Sequence, residues 1–380
     1  MKQIYALIVM LMMASVAFTG CVSDDDDTDD TTVDDTTTDD TTVEPVGEEA
    51  KSTLDVIIER GSLKCGIKTS QFGMGYLDSD SGVYSGLDVE YCRAVAAAIG
   101  LNPDENIEYV VASAGDRFTK LADEEIDVLI RTTTWTTSRD ADLNADFAGI
   151  NFYDGQGMLV NTGAHADADS IMDLDGAKVC TTTGTTTEGN LADYFTTNDL
   201  TYEVVGVADD GQAMEKFKAE DCTAWTGDMS NMVAQQWAVG NDANVTFGMA
   251  IMPELLSKEP LGAATRDNDA DWNEVVTWVW YGMLTAEELG VDSSNYGDQD
   301  MENPAYSRLL NNNLGLGTEA NPLSDTWMQN VLMHVGNYHE AYDNAFCDGD
   351  GTMSNCLVDR AGTMNAPYWE GGLQYAPPMR

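Results

Sequence analysis

The chain has 380 residues and a formal net charge of −48, from 66 acidic and 18 basic residues. A charge of this sign repels phosphate backbones, so it excludes nucleic acid as a partner. The three histidines and the absence of a CxxC spacing argue against a zinc site. We therefore expect no metal and no cofactor. Such acidity is typical of a surface adapted to high salt, because dissolved ions screen the self-repulsion of its charges.

The N-terminus predicts a secretory signal peptide over residues 1–20. One lysine precedes an apolar run over residues 4–18, which is too short for a membrane-spanning helix. Small residues stand directly before Cys21, as in a lipoprotein box, so we expect Cys21 to begin the mature chain and to carry lipid. An ordinary signal with an incidental cysteine is the alternative. The expected location is extracytoplasmic, at the cell surface or in the periplasm, with a lipid anchor to the membrane.

The segment that follows Cys21, up to residue 52, predicts a disordered tether. It consists mainly of Asp and Thr and holds 13 of the 66 acidic residues, with almost no apolar side chain to bury. Such a run cannot offset its ordering entropy, and its charges repel one another and extend the chain.

Strands and helices alternate over the next 175 or so residues. Strands are predicted at 62–70, 107–113, 126–131, 177–183, 200–208 and 222–228, and helices at 87–100, 116–125, after Glu188 and at 211–220. This rhythm is typical of α/β proteins with mostly parallel sheets. The roughly 330 residues after residue 52 are too many for one core and favour two lobes.

Three segments near predicted strand ends indicate an amino acid site. Residues 131–140 (RTTTWTTSRD) place four threonine hydroxyls ahead of Arg139, whose guanidinium can fork onto a carboxylate. Residues 183–188 (TGTTTE) form a Gly-Thr turn before a helix, which presents backbone N–H groups to an anion. Asp228 follows a third strand and suits an ammonium group. Since ligands of parallel sheets bind beyond the carboxyl ends of the strands, the three segments predict one shared cleft.

Six cysteines remain after Cys21, an even number that suggests disulfides in a translocated protein. Fifteen pairings are possible, and six free thiols are a further alternative. Pairing of sequence neighbours is the simplest choice, and it predicts the bonds Cys65–Cys92, Cys180–Cys222 and Cys347–Cys356.

Motifs along the whole region from residue 53 to 380 resemble the extracytoplasmic substrate-binding proteins of polar amino acid ABC transporters, of the general L-amino acid type. The motifs are GLDVEYCRAVAAA from residue 86, DVLxRxTTWTxSRD from 127, DFAGINFYDGQG from 146, LDGAxVC from 174, TGTTTExNLADYF from 183, SKEPLG from 257 and GGLQYAPPMR from 371. Their order and spacing make the resemblance specific.

The resemblance implies a two-lobed type II periplasmic-binding fold, in which each lobe is a mostly parallel sheet flanked by helices and a hinge joins the lobes. We expect residues 53–156 in lobe 1, residues 157–260 in lobe 2, and residues 261–380 as the return to lobe 1 with a C-terminal extension. The implied partners are a free L-amino acid and an ABC transporter permease in the membrane, and the implied protein is a monomer and not an enzyme.

The resemblance also implies roles for individual residues. By motif position, Arg139 is similar to the arginine that binds the ligand α-carboxylate, with Thr134 as a supporting hydroxyl. Thr132 resembles the residue whose backbone contacts the ligand amine. In the second lobe, Thr185 and Thr186 match the second contact to the carboxylate, and Asp228 matches the acid that binds the ammonium. The expected aromatic contacts are Phe72, Tyr76 and Trp135.

Other interpretations of the same residues remain open. The TGTTTE segment is also compatible with a simple helix cap, and Arg139 beside Asp140 with a surface ion pair of little value. Asp348, Asp350 and Asp359 suggest a calcium loop, but Met353 occupies the position where that loop needs glycine. An alternative function is a cleft enzyme of the same fold, such as a prephenate-type or arogenate-type dehydratase, which needs a carboxylic acid as general acid.

Overall fold

The computed structural model describes residues 51–380, and the predicted signal peptide, Cys21 and nearly all of the tether lie outside these residues. The helices are α1 Thr53–Arg60, α2 Leu87–Ala98, α3 Arg117–Ala122, α4 Thr137–Asp142, α5 Thr186–Thr197, α6 Asp210–Lys218, α7 Met229–Gly240, α8 Ala270–Glu288, α9 Pro304–Leu310, α10 Trp327–His334 and α11 Tyr338–Phe346. The strands are β1 Leu63–Ile67, β2 Ser70–Gln71, β3 Gly75–Leu77, β4 Tyr84–Ser85, β5 Ile107–Val111, β6 Val128–Leu129, β7 Ala145–Phe147, β8 Phe152–Asn161, β9 Ala177–Thr182, β10 Tyr202–Val207, β11 Ala224–Asp228, β12 Met249–Ile251, β13 Lys258–Leu261 and β14 Ala264–Arg266.

Lobe 1 is built on a sheet with the order β5-β1-β6-β14-β7. Strands β5, β1 and β6 are parallel, whereas β14 runs antiparallel to both of its neighbours. The apolar sides of α2, α8, α10 and α11 share one core with this sheet, which includes the buried rings of Trp272, Trp280 and Trp327. Gly86 is the N-cap residue of α2 and has φ of 113°. Glycine is needed at this position because a β-carbon would lie 2.2 Å from the Met74 carbonyl oxygen.

Lobe 2 repeats this order of strand directions in the sheet β10-β9-β11-β8-β12. Strands β10, β9 and β11 are parallel, and β8 is antiparallel to β11 and β12. The parallel strands thus form one half of each sheet. The other half is antiparallel and consists of β14 with β7 in lobe 1 and β8 with β12 in lobe 2.

Two strands carry the chain between the lobes. Phe152, at the start of β8, packs in the lobe 1 core, while Met158 and Val160 pack in lobe 2. Strand β13 runs antiparallel along the first half of β8 and returns Leu261 to the lobe 1 core. We call residues 152–155 with residues 258–261 the hinge pair.

The three disulfides predicted from neighbouring cysteines are present, and each lies within one part of the molecule. Cys65 in β1 bonds to Cys92 in α2, Cys180 in β9 bonds to Cys222 just before β11, and Cys347 bonds to Cys356 in the C-terminal segment. No disulfide among the described residues joins the lobes, so none opposes their relative movement. Over residues 51–380, no helix has the length and apolar character needed to cross a membrane.

Candidate functional site

A cavity of about 50 Å³ lies between the lobes at the carboxyl ends of the parallel strands. Side chains from both lobes line it and hydrogen bonds join the lobes beside it, so the lobes are closed. Six of the residues that the sequence singled out line this cavity: Thr132, Thr134, Arg139, Thr185, Thr186 and Asp228. They reach it because β6, β9 and β11 all end at this edge of their sheets, as the strand-end argument predicted.

Arg139 and two threonines form one side of the cavity. Helix α4 begins after Thr136, whose hydroxyl accepts the backbone N–H of Arg139 and caps the helix. The Arg139 guanidinium donates to the carbonyl oxygen of Thr134 at 2.8 Å. Burial lowers the pKa of Arg139 from its ordinary value, and the nearby carboxylate of Glu259 opposes this shift. No carboxylate among the described residues forms an ion pair with Arg139, so its guanidinium can bind an anionic ligand.

Glu259 joins hydroxyls from the two lobes. Its Oε2 atom accepts the hydroxyl of Thr134 at 2.5 Å and the hydroxyl of Thr186 at 3.0 Å. Its Oε1 atom accepts Asn190 at 2.8 Å and Ser257 at 2.5 Å. The sequence analysis included this residue in the SKEPLG motif but gave it no role. Its position on the hinge pair brings it to the cavity.

Thr132 has a strained backbone. Its φ of 38° is unusual for a β-branched residue, and such strain is common at binding sites. The Thr132 N–H donates to Asp88 at 2.8 Å, and Asn151 donates to the other oxygen of the same carboxylate at 3.3 Å. Burial raises the pKa of Asp88 to about 6, against these hydrogen bonds. The backbone of Thr132 is therefore held in place from behind the cavity.

The TGTTTE segment forms a helix cap and also faces the cavity. Thr185 is the N-cap residue of α5, and its side chain accepts the N–H of Glu188 at 3.3 Å. The Glu188 carboxylate in turn accepts the N–H of Gly184 at 3.1 Å. The Thr186 side chain is not used by the cap and points to Glu259. The capping interpretation is thus correct for Thr185, and it leaves Thr186 at the cavity.

Asp228 lies at the end of β11, on the lobe 2 side of the cavity. Burial raises the pKa of Asp228 to about 8, and the nearby carboxylates of Asp154 and Glu259 act in the same direction, while Lys68 opposes them. Asp154 is itself held by the Ser230 hydroxyl at 2.5 Å, and burial raises the pKa of Asp154 to about 6. A cationic group placed beside Asp228 would relieve the repulsion among these acids.

Three cationic residues that the sequence analysis missed complete the cavity. Lys68, which follows β1, forms an ion pair with Asp210 of lobe 2 at 2.6 Å. Arg117 and Arg131 are almost fully buried, and the Nε atom of each has no hydrogen-bond partner among the described residues. Burial and the proximity of Arg131 lower the pKa of Arg117. Arg131 was within reach of the sequence argument, because it directly follows a buried strand at the cleft edge.

The three predicted aromatic contacts do not line the cavity. Phe72 lies at the rim, where its ring stacks on Trp237 of lobe 2 with centroids 5.3 Å apart, and Tyr76 contacts Phe72 edge-on. Trp135 stacks on Phe147 at 5.3 Å. Contact between these rings and a ligand therefore stays a prediction.

Several direct contacts across the cleft keep the lobes together near the Phe72 ring. The buried side chain of Gln71 donates to Ser230 at 2.9 Å, and Gln235 donates to the Ser70 carbonyl at 3.1 Å. These bonds lie beside the aromatic stack of Phe72 on Trp237. Closure of the lobes thus rests on the segment at residues 68–72 as well as on the cavity.

A group of acidic side chains lies far from the cleft, in the C-terminal segment. Asp343, Asp348 and Asp350 have carboxylate oxygens within 4.8 Å of one another. Both oxygens of the buried Asp343 already accept backbone N–H groups, from Gly351 at 2.7 Å and Met353 at 2.8 Å. These bonds give the group a structural role in the loop closed by the Cys347–Cys356 disulfide.

The chain is similar to several known proteins. The family model of the bacterial extracellular solute-binding proteins, family 3, matches residues 63–313. The glutamate/glutamine/aspartate/asparagine-binding protein BztA of Rhodobacter capsulatus is 39% identical over 336 residues, covering 88% of this chain and 95% of that protein. The general L-amino acid-binding periplasmic protein AapJ of Rhizobium johnstonii is 37% identical over 341 residues, with the same two coverages.

Solved structures agree with these relatives. An ABC transporter periplasmic binding protein from Brucella ovis, with glutathione bound, is 38% identical and has a TM-score of 0.78, covering 87% of this chain and 100% of that chain. An ancestral arginine-binding protein bound to arginine is 23% identical, with a TM-score of 0.50 over 66% of this chain and 96% of that one. The second similarity concerns the fold alone.

Proposed function

The chain belongs to the bacterial extracellular solute-binding proteins of family 3 and has the type II periplasmic-binding fold, and we propose that it binds L-amino acids in the cleft between its lobes. One observation supports this most directly. Arg139, which forms no ion pair with the residues that the structure describes, and the carboxyl group of Asp228 both line the same closed cavity. They match the two charged groups that every free α-amino acid carries, and pairing both charges limits the loss of their hydration.

In this proposal, Arg139 binds the α-carboxylate, with Thr134 and Thr186 on either side of it. Asp228 binds the α-ammonium group, and the strained backbone at Thr132 supports the same end of the ligand. Micromolar affinity requires only about 8 kcal/mol, which paired charges in a water-excluding cleft can provide. Thr185 supports the site through the cap of α5.

The side chain of the ligand is acidic in this proposal. Arg117 and Arg131 line the cavity beside the proposed backbone site, and each has a buried Nε donor without a partner among the described residues. A ligand carboxylate would satisfy these donors and offset the repulsion between the two guanidinium groups. The relative BztA is named for glutamate, glutamine, aspartate and asparagine, and we expect glutamate or aspartate to bind more tightly than the matching amides.

The protein delivers its ligand to an ABC transporter permease in this proposal. A ligand that binds the closed form more tightly shifts the lobes toward closure, which gives the permease a shape to recognise. After removal of the signal peptide, the lipidated Cys21 and the acidic tether, all outside the described residues, would hold a monomeric binding protein at the membrane surface. The relatives are named as binding proteins, which supports a receptor over the dehydratase that the sequence left as an alternative.

Calorimetry of the twenty L-amino acids on the purified protein tests the proposal. We expect glutamate to bind at least tenfold more tightly than glutamine. In the Arg131→Met variant this ratio should fall below threefold, because the side-chain carboxylate loses a cationic donor. The control is Arg60→Met, which removes an arginine from an ion pair with Asp127 outside the cleft and should leave the ratio unchanged.

The outcomes separate the two parts of the proposal. If none of the twenty amino acids binds, the function itself is wrong. If amino acids bind but glutamine equals glutamate in the parent protein, the assignment of Arg117 and Arg131 to an acidic side chain is wrong while the receptor function stands. Conversion of prephenate or arogenate by the protein would instead support the enzyme.

A further inference from the structure

The C-terminal segment, residues 314–380, lies beyond the residues that the family model matches, yet it contacts the hinge pair directly. The side chain of Asn365 is buried and bonds both backbone groups of Tyr153 in β8. The Tyr153 N–H donates to Asn365 Oδ1 at 2.7 Å, and Asn365 Nδ2 donates to the Tyr153 carbonyl oxygen at 2.9 Å. One amide side chain thus takes the place of a neighbouring strand at this point.

The register of the hinge pair explains why Tyr153 needs this partner. Tyr153 lies opposite Pro260, at a position where this antiparallel pair makes no backbone hydrogen bonds. The Gln156 N–H donates to the Ser257 carbonyl, which makes residues 152, 154 and 156 the hydrogen-bonded positions of this antiparallel pair. The backbone groups of Tyr153 therefore face away from β13. Without Asn365 they would lack a protein partner in a buried part of the hinge.

Asn365 is itself fixed to lobe 1. The Nε atom of the buried Arg360 donates to the Asn365 carbonyl oxygen at 2.7 Å. The other guanidinium nitrogens of Arg360 form a bidentate pair with Glu287 of α8, at 2.5 and 3.0 Å. The same guanidinium lies 4.4 Å from the ring centroid of Tyr338 in α11. A chain of short contacts therefore ties the hinge strand to two lobe 1 helices.

The next residue of β8 is fixed to the other lobe. Asp154 accepts the Ser230 hydroxyl of α7 at 2.5 Å and lies only one residue after Tyr153. Two consecutive residues of the hinge strand are thus bound to opposite lobes. Any rotation of the lobes about this strand has to occur after Tyr153 for as long as Asn365 holds it.

The same C-terminal segment also contacts the segment that closes the cleft. Phe346 at the end of α11 stacks on Phe152 of the hinge pair with centroids 5.7 Å apart. Its ring also fills the space beside Gly73, where an added β-carbon would lie 2.5 Å from it. Gly73 is next to Phe72, whose ring stacks on Trp237 of the other lobe. The C-terminal segment therefore contacts both the hinge pair and the segment that closes the cleft.

We propose that residues 314–380 brace the hinge through Asn365, which holds Tyr153 to lobe 1 and limits how far the lobes open. Asn365 is a positioning residue in this proposal, because it acts on the hinge and not on the ligand. Loss of the brace widens the range of opening and shifts the ligand-free protein toward open forms. It weakens all ligands by one common factor, since no ligand contact changes. The proposal does not depend on which solute binds.

The experiment compares Asn365→Ala with a matched control, Asn337→Ala. Asn337 is also a buried asparagine of the C-terminal segment, and its Nδ2 donates to the Val291 carbonyl of lobe 1 at 2.9 Å, away from the hinge. Small-angle scattering of both ligand-free variants gives the radius of gyration, and thermal unfolding gives Tm. Both variants should lose Tm, but only Asn365→Ala should have a larger radius. Its Kd for L-glutamate and L-aspartate should rise about fivefold for each.

Equal radii of gyration for the two variants and the parent would overturn the proposal and leave Asn365 with a structural role alone. If Asn365→Ala does not fold, hydrogen exchange on the parent protein decides the question. The Tyr153 amide should be strongly protected without ligand, and exchange as fast as that of exposed loops would refute the brace. Absence of any amino acid binding would refute the proposed function and leave the scattering comparison valid.

Discussion

Amino acid binding should release a proton, because burial and nearby acids raise the pKa of Asp228 and favour its protonated form near neutral pH. Burial, with Asp154 and Glu259 close by, raises the pKa of Asp228 to about 8. A ligand ammonium group beside the carboxylate favours the ionised form and lowers this pKa. Binding at pH 7 therefore converts the neutral acid into a carboxylate, and the proton leaves to solvent.

The magnitude follows from the distance between the working pH and this pKa. At pH 6, only about one Asp228 carboxyl in a hundred is ionised, compared with one in two at pH 8. If the pKa in the complex falls to about 5 or lower, affinity for L-glutamate should be about 50-fold weaker at pH 6 than at pH 8. The ligand-free protein follows the opposite trend. A carboxyl pKa above its unfolded value means that ionisation opposes folding, so the contribution of Asp228 to stability falls as the pH rises from about 4 to 8.

Calorimetry at pH 7 in two buffers with different ionisation enthalpies counts the protons released. We expect close to one proton per glutamate bound to the parent protein. The Asp228→Asn variant has no carboxyl group to titrate, so it should release none and should lose most of the pH dependence along with much of its affinity. Binding by the parent that is independent of pH between 6 and 8, with no proton released, would show that Asp228 does not pair with the ligand ammonium.

Three further predictions concern other parts of the molecule. Replacing Arg139 by alanine should weaken every amino acid ligand at least a hundredfold, about 2.7 kcal/mol, and lysine should not restore binding because it lacks the fork; unchanged affinity in calorimetry would contradict its assignment. Trp237→Ala removes the stack on Phe72 and should raise every Kd about fivefold. Trp369 is similarly exposed, and Trp369→Ala should change no Kd. A change in the ranking of ligands for Trp237→Ala would place the stack in the ligand site instead. The melting temperature should rise steeply with added salt because the net charge is −48; melting that is insensitive to salt would refute a salt-adapted surface.

The alternating elements were predictable because local patterns determine them. The predicted strand at residues 107–113 is β5, and the predicted helix at 87–100 is α2. The predicted helix at 116–125 ends earlier, at Ala122, because Asp123 and Glu124 leave the helical conformation and Glu124 takes φ of 60°. The strand expected at 126–131 pairs only over Val128–Leu129, since the chain then turns into the strained backbone at the cavity.

The residues of the candidate site were predictable where a recognisable motif follows a strand end. Thr134 and Arg139 are five residues apart, so their bond at the start of α4 follows from the local sequence. Glu259 is 125 residues from Thr134, and it reaches that hydroxyl only because β13 pairs with β8. Arg117 likewise depends on the packing of α3. Phe72 was expected at the ligand because residues 69–76 occupy the place of the loop that covers the ligand side chain in the related proteins, and its stack on Trp237 of the other lobe could not be predicted from local sequence.

The bonds to Glu259 set a limit on what the closed cleft offers a ligand. A hydroxyl carries a single hydrogen, and those of Thr134 and Thr186 both point to Glu259 in this form. An incoming carboxylate can receive these hydrogens only if both hydroxyls rotate away from Glu259, whose other oxygen stays bonded to Asn190 and Ser257. Glu259 is therefore an internal competitor for a ligand carboxylate. Binding is an exchange of one carboxylate for another, and the measured affinity reports the difference between the two.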